Sequence, residues 1–98
     1  MKTLAEIKKI LNDYKEYLYQ NYGVKEIYLF GSYVRNEQKE DSDLDLLVQL
    51  EKPIGLKFVE LGDFLEKILD MKIDVLTFPM IEKNPYLLEE IRKELINV

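Results

Sequence analysis

The sequence predicts an α/β fold, in the broad sense that includes α+β domains, with helices packed on a short sheet. Segments with apolar residues at helical spacing alternate with short runs of β-branched and aromatic residues, and glycine or proline separates most of them. The predicted order is helix, strand, short helix, strand, helix, strand, helix. A chain of 98 residues can bury one modest core, so we expect a single domain over residues 1–98.

The helices are predicted from caps and from apolar spacing. Thr3 and Glu6 form the pattern of a capping box, apolar residues then recur every three or four positions, and Gly23 stands where a helix often ends. Asn84 followed by Pro85 is a typical helix start. The predicted helices cover residues 3–22, residues 56–69 and the segment after Asn84, and a short helix followed by a loop is predicted within residues 33–42.

Three runs rich in leucine, β-branched and aromatic side chains predict strands. The first run ends at Gly31, the second is followed by Pro53 and Gly55, and the third ends at Pro79, all of which are residues that interrupt regular structure. The predicted strands cover residues 24–30, 44–50 and 72–78.

The composition excludes several kinds of chemistry. The chain has no Cys and no His, which excludes disulfides, zinc sites built on those residues, thiol catalysis and a Ser-His-Asp triad. Its 14 basic and 19 acidic residues argue against a general nucleic-acid binder. No apolar stretch approaches the ~20 residues that span a bilayer, and no charged-then-apolar leader opens the chain. We therefore expect no membrane partner and a cytoplasmic location.

Three aspartates form the main candidate site. Asp43 and Asp45 stand at the start of the second predicted strand, where alternation places both carboxylates on one face, with Cα atoms ~7 Å apart. Asp74 lies within the third predicted strand. If these strands are adjacent, three carboxylates converge, as a site for two Mg²⁺ ions requires. The simpler interpretation is a solvated turn at Asp43 and Asp45 and an edge-strand Asp74 that faces water.

A second group of candidates follows the first predicted strand. Gly31 lets the backbone approach a phosphate, Ser32 can add a hydroxyl, and Arg35 can pair with a phosphate, although a plain surface position is the alternative for Arg35. A Gly-Ser pair alone indicates little. Its value lies in the spacing, because ten residues separate Ser32 from Asp43.

The pattern G-S-x10-D-x-D, followed by an aspartate in a later strand, resembles the signature of the DNA polymerase β-like nucleotidyltransferases. The segment GSYVRNEQKEDSDLDLLV carries the resemblance, and nearly the whole chain is similar to the MNT group of minimal nucleotidyltransferases. The resemblance implies a small nucleotidyltransferase fold with a short mixed sheet of three to four strands. It also implies that Gly31 and Ser32 bind the triphosphate, and that Asp43, Asp45 and Asp74 hold two Mg²⁺ ions, with Asp74 helping to activate the acceptor.

The chain departs from the family pattern at Asn36, where many members have glycine after the arginine. Asparagine adopts left-handed backbone geometry more readily than most residues, so we expect the turn to be kept. The substitution does not involve the metal-binding aspartates.

The resemblance further implies a function. Relatives of this kind act as antitoxins that transfer AMP from ATP to a tyrosine of a HEPN-domain toxin. A 98-residue chain has little material for an acceptor pocket, which is compatible with a protein acceptor. Two alternatives stay open: a binding antitoxin that covers its partner without catalysis, and an enzyme that transfers a nucleotide to a small molecule.

Overall fold

The computed structural model describes residues 2–98 and shows a four-stranded mixed sheet with helices on both faces. This architecture confirms the predicted α/β (α+β) class and the short mixed sheet. The helices are α1 (Leu4–Asp13), α2 (Lys15–Tyr22), α3 (Lys57–Leu69), α4 (Phe78–Glu82) and α5 (Pro85–Arg92). The strands are β1 (Val24–Phe30), β2 (Leu44–Leu50), β3 (Ile73–Thr77) and β4 (Ile96–Asn97).

The strand order in the sheet is β3-β2-β1-β4. β1 pairs antiparallel with β2 and with β4, whereas β2 and β3 are parallel. A parallel pair needs a long crossover, because the chain must return to the same end of the sheet, and α3 supplies it here. The parallel pairing brings the starts of β2 and β3 side by side.

Alternation along the strands gives the sheet two different faces. Leu44, Leu46 and Val48 of β2 are fully buried on one face, in a core shared with α1, α2 and α3. The opposite face carries a smaller core with one buried residue each from β1, β2, α4 and α5, namely Phe30, Leu47, Ile81 and Ile91. The larger core therefore holds the sheet to three helices, and the smaller core leaves part of the second face open.

The first predicted helix, residues 3–22, is interrupted at Tyr14, so the prediction of one continuous helix is wrong. The predicted capping box is present, since the Thr3 and Glu6 side chains each accept a hydrogen bond from the other residue's backbone N–H. At Tyr14 the backbone leaves helical geometry, with φ −103° and ψ 5°. The Tyr14 ring packs edge-on against Phe64 of α3, 5.6 Å between ring centroids. Tertiary packing accompanies the break, and no Gly or Pro marks it in the sequence.

Residues 33–42 form turns and a loop, and the short helix predicted there is wrong. The carbonyl oxygen of Gly31 accepts hydrogen bonds from both Val34 and Arg35, which closes the chain into tight turns. Asn36 then adopts the left-handed conformation, with φ 59°, and a helix cannot continue through that geometry. The expectation that asparagine keeps the turn at this position is confirmed.

The segment after β3 differs from the prediction in one element. The strand predicted over residues 72–78 covers Ile73–Thr77, and Phe78 begins the five-residue helix α4. Pro79 lies in the first turn of α4, where its missing N–H has no partner to lose. The sequence predicts Pro79 as the residue that closes the strand, and in the structure Pro79 also lies at the start of a helix.

The C-terminal part confirms one prediction and adds a strand. The Asn84 side chain accepts a hydrogen bond from Leu87 N–H and caps α5, as predicted. β4 was not predicted, because two residues are too short for any periodic pattern to be visible. It pairs with Tyr28 and Leu29 near the end of β1, and so returns the chain to the sheet beside the predicted phosphate-binding turn.

Candidate active site

The three predicted aspartates lie at the start of two adjacent parallel strands. The register pairs Asp45 of β2 directly with Asp74 of β3, so the adjacency that the sequence left conditional is present. Asp43 lies one residue before β2 begins. Leu47, two residues after Asp45 along β2, belongs to the smaller core, so Asp45 and its register partner Asp74 occupy the same face as α4 and α5.

Asp45 is the central member of this group. Its side chain is partly buried, whereas Asp43 and Asp74 are exposed. Burial, followed by repulsion from the Asp74 and Asp43 carboxylates, raises the pKa of Asp45 to about 6. Within residues 2–98, the ion pairs all involve other carboxylates. The site is therefore a cluster of negative charge with no lysine or arginine to balance it directly.

The chemistry of these ligands suits a hard divalent cation. Mg²⁺ prefers a small number of carboxylate oxygens together with phosphate oxygens and water. As the side chains stand, no three acidic groups in the described part of the chain are close enough to form a ready-made metal cluster. Asp43 and Asp74 are exposed, so their side chains can rotate toward Asp45 without disturbing the core. The backbone arrangement fits a cation that draws the carboxylates together.

Gly31 lies at the end of β1, directly beside Asp45. Its φ is 82°, a conformation that favours glycine, and a Cβ built there would lie 2.9 Å from Cγ of Asp45. The register explains the contact, because Phe30 pairs with Asp45 and Gly31 follows it. No side chain larger than hydrogen fits between the turn and the carboxylate. The turn and the aspartate cluster are therefore parts of one site.

Ser32 and Arg35 occupy this turn, and Arg35 already has protein partners. Ser32 is partly exposed, and its carbonyl oxygen accepts a hydrogen bond from Glu37 N–H. Arg35 Nη1 donates to both carboxylate oxygens of Glu94, at 3.0 and 2.9 Å, and Arg35 Nε lies 3.5 Å from Glu37. The structure thus brings Ser32 close to the aspartates, and it pairs the Arg35 guanidinium with carboxylates of the protein.

Glu94 is the residue of this region that sequence reasoning missed. It accepts a hydrogen bond from Gly31 N–H at 3.0 Å in addition to those from Arg35. It follows α5 and precedes β4, and it reaches the turn only because β4 pairs with β1. A glutamate near the end of an amphipathic helix gives no signal of such a contact in the sequence.

Two surface clefts lie at opposite ends of β2. The larger, about 810 Å³, is mostly apolar, is lined by residues such as Phe58 and Phe78, and contains none of the predicted site residues. The other, about 710 Å³, is more polar and opens beside Asp43, with Tyr33, Lys72 and further residues on its walls. We assign the chemistry to the end of β2 that carries the aspartates, because that end has the clustered carboxylates and the raised pKa of Asp45, whatever the size of the cleft.

The sequence over residues 7–98 matches the family described as "Nucleotidyltransferase domain". The chain belongs to this family. It is a nucleotidyltransferase, and the resemblance inferred from the Gly-Ser turn and the aspartates is confirmed at the level of the family.

Two curated relatives are similar over most or all of their length. The chain is 50% identical to "Putative protein adenylyltransferase MJ0128" of Methanocaldococcus jannaschii, over 100% of both chains. It is 51% identical to "Protein adenylyltransferase MntA" of Thermococcus cleftensis, over 76% of this chain and 77% of the relative. The similarity therefore extends well beyond the motif itself.

A solved structure shares the fold of this nucleotidyltransferase. It is described as the tri-AMPylated HEPN toxin of Shewanella oneidensis in complex with the MNT antitoxin. The likeness has a TM-score of 0.65 at 22% identity and covers 93% of this chain and 70% of the other. A second solved structure, described as "Structure of putative minimal nucleotidyltransferase", is 31% identical with a TM-score of 0.70, over 94% of this chain and 88% of the other.

None of the helices within residues 2–98 has the length and apolar character that crossing a bilayer requires.

Proposed function

We propose that this nucleotidyltransferase transfers AMP from ATP to a tyrosine hydroxyl of a HEPN-type toxin protein, and so acts as its antitoxin. The observation that carries the proposal is the position of Asp45, which contacts Gly31 on one side and pairs with Asp74 on the other. A turn suited to phosphate and a cluster suited to cations thus meet at one carboxylate. The residue roles are Gly31, Ser32 and Arg35 for the nucleotide, and Asp43, Asp45 and Asp74 for Mg²⁺ and catalysis.

The chain's own residues provide for binding and for proton transfer. The backbone at Gly31 and Ser32 lies against the phosphates, and Asp43 and Asp45 face the same bound nucleotide from β2. Bound Mg²⁺ supplies charge neutralisation of the phosphates and lowers the cost of deprotonating the acceptor. The tyrosine oxygen forms a bond to the α-phosphorus, the bond from that phosphorus to the bridging oxygen breaks, and pyrophosphate leaves. The hydroxyl proton passes to the Asp74 carboxylate.

The place of Asp74 supports a macromolecular acceptor. β3 is an edge strand of the sheet, and Asp74 is exposed on it. An acceptor hydroxyl carried by another protein can therefore reach this carboxylate without entering a closed pocket. The relatives named as protein adenylyltransferases support the same class of acceptor, as does the described complex of an MNT antitoxin with an AMPylated HEPN toxin.

The test is transfer of radiolabelled AMP to a HEPN-type protein encoded beside this chain. We expect labelling by the wild type in the presence of Mg²⁺ and no labelling by the D43N/D45N double variant. The matched control is D13N/D63N, which makes the same charge change at two exposed positions on α1 and α3. If D43N/D45N still labels its partner, the proposed mechanism is wrong.

A binding antitoxin that covers its partner is the second candidate function. Large apolar side chains lie exposed on α3 and α5, among them Val59, Tyr86 and Leu87, and they are available for a protein contact. Toxin neutralisation by the D43N/D45N variant distinguishes the two. Neutralisation that survives the double substitution supports covering, and neutralisation that is lost supports modification. Labelled transfer to a small molecule in place of the protein would support the third alternative.

A further inference from the structure

Glu94 connects the C-terminal segment of the chain to the predicted phosphate-binding turn. Its Oε1 accepts the Gly31 N–H at 3.0 Å, and both of its oxygens accept from Arg35 Nη1, at 3.0 and 2.9 Å. The Glu94 side chain is 19% exposed. Its bond from the Gly31 N–H is partly buried, whereas its bonds from Arg35 are exposed to water. One carboxylate thus satisfies both the backbone and the arginine of the turn.

The position of Glu94 is determined by two separate parts of the fold. α5 ends at Arg92, and the Glu94 N–H donates to the carbonyl oxygen of Ile91, whose side chain is buried in the smaller core. β4 then pairs antiparallel with β1, with Ile96 opposite Leu29. Continuing this register toward the end of β1 brings Glu94 opposite Gly31. Its contact with the turn follows from the packing of α5 and from the pairing of β4.

We propose that Glu94 is a positioning residue that holds the Gly31–Ser32 turn in the conformation that binds the nucleotide, an inference that rests on the proposed function. The Gly31 N–H lies in a partly buried bend, and a buried donor without an acceptor is unfavourable enough to displace the backbone. Because the Asp45 carboxylate contacts Gly31, a displaced turn also displaces Asp45. Glu94 therefore supports both the phosphate side and the cation side of the site.

Glu94 has a second effect on the site through its contact with Arg35. Arg35 and Glu94 both lie at the turn whose Gly31 contacts Asp45. While Glu94 holds the guanidinium through two hydrogen bonds, Arg35 is kept in an ion pair at the turn. Without Glu94, the guanidinium is free to pair with Asp45 and to compete there with a cation. Loss of Glu94 is therefore expected to weaken binding of both nucleotide and Mg²⁺.

If Glu94 instead competes with the nucleotide, its removal should change the nucleotide affinity in the opposite direction. A carboxylate that occupies the place of a phosphate would compete with the nucleotide, and its removal would strengthen nucleotide binding. A carboxylate that positions the turn supports the nucleotide, and its removal weakens binding. The direction of the change in affinity thus decides between the two roles.

The experiment measures binding of a non-hydrolysable ATP analogue with Mg²⁺ by titration calorimetry, at a temperature where each variant is folded by circular dichroism. We expect E94L to weaken binding by about tenfold or more, because both contacts are lost. E94Q is expected to lose less, about threefold, because its amide oxygen still accepts the Gly31 N–H. The matched control is E90Q, one turn earlier on α5, where Glu90 is exposed and pairs only with Lys93.

Each outcome has a defined meaning. The positioning role predicts that wild type and E90Q bind the nucleotide most tightly, E94Q more weakly, and E94L most weakly. A purely structural role would instead lower the melting temperature and leave the affinity of the folded protein unchanged. Equal affinity of folded E94L and wild type, or tighter binding by E94L, overturns the inference and leaves the proposed function intact. If E94L does not fold, E94Q decides by the same criterion. A folded wild type that binds no nucleotide with Mg²⁺ overturns the proposed function, and the inference with it.

Discussion

Gly31 and Asp45 are in direct contact, so that a Cβ at residue 31 would lie 2.9 Å from Cγ of Asp45. The contact joins the end of β1 to the start of β2, across two strands whose register pairs Phe30 with Asp45. In many sites a glycine is required only by its backbone conformation. Here glycine is also required by the space that a neighbouring carboxylate occupies, and the two requirements can be separated by experiment.

The first prediction is that Gly31→Ala is more destabilising than its conformation alone explains. Left-handed geometry costs a residue with a side chain about 1–2 kcal/mol, and displacement of Asp45 adds to this cost at residue 31. Gly55→Ala is the matched control, because Gly55 also has a positive φ, 59°, but nothing lies within 4 Å of the added Cβ. Urea unfolding should show a larger loss of stability for Gly31→Ala, and AMP transfer should be lost only in that variant. Equal losses would show that the contact with Asp45 is unimportant.

The second prediction is that Asp45→Asn stabilises the protein in the absence of metal while abolishing activity. The raised pKa of Asp45 means that its charged form is less favourable in the folded than in the unfolded state. Removing the charge should therefore increase the free energy of unfolding by about 1 kcal/mol at neutral pH, with allowance for solvent screening at a partly exposed group.

The pH dependence provides the check on this second prediction. The gain should be present above about pH 6 and should disappear toward pH 4, where the wild-type carboxyl is protonated in the folded state and increasingly in the unfolded state as well. Thermal unfolding in EDTA measures it, with Asp63→Asn, an exposed change on α3, as the control. A loss of stability in Asp45→Asn at neutral pH would contradict the electrostatic account.

The third prediction concerns Mg²⁺ itself. A ligand that binds only the folded state stabilises it in proportion to the logarithm of its concentration once binding saturates. Added Mg²⁺ should therefore raise the midpoint of thermal unfolding of the wild type, and the increase should be smaller in Asp74→Asn and absent in Asp43→Asn/Asp45→Asn. Asp63→Asn should behave as the wild type. An equal increase in all variants would place the cation elsewhere on this acidic surface.

The fourth prediction is that Asn36→Gly stabilises the protein. Asn36 has φ 59°, and glycine adopts that conformation without the cost of a side chain. We expect a gain of about 0.5–1 kcal/mol in the free energy of unfolding, and a loss in Asn36→Ala, because alanine tolerates the left-handed region less well than asparagine. Chemical denaturation measures both variants. AMP transfer should be unchanged in Asn36→Gly, since residue 36 is exposed and glycine adopts the same backbone conformation.

The sequence was informative where the signal is local. The capping box at Thr3, the asparagine cap before α5 and the alternation that separates Asp45 from Leu46 are fixed by neighbours a few residues away. The spacing between the Gly31–Ser32 pair and Asp43 is also local in this sense, because one loop connects them. Membership of the nucleotidyltransferase family could be inferred from that spacing and from the aspartates together.

Other features depended on contacts between distant segments, and the sequence predicted them wrongly or not at all. The break at Tyr14 accompanies packing on Phe64 of α3. β4 is two residues long, so only its pairing with β1 defines it as a strand. In each case the energy that decides the conformation comes from residues far away in the chain, which no local pattern contains.

The aspartate site shows both contributions. The sequence by itself determined which carboxylates are available and predicted, through the alternation of a strand, that Asp43 and Asp45 share a face. Only the tertiary structure decided that Asp74 stands beside Asp45, because the register of this parallel pair depends on how α3, which connects β2 to β3, packs against the sheet. It also decided that Glu94 holds the Gly31 turn, since that contact requires the docking of α5 and the pairing of β4, which are set by burial and hydrogen bonding across the whole sheet.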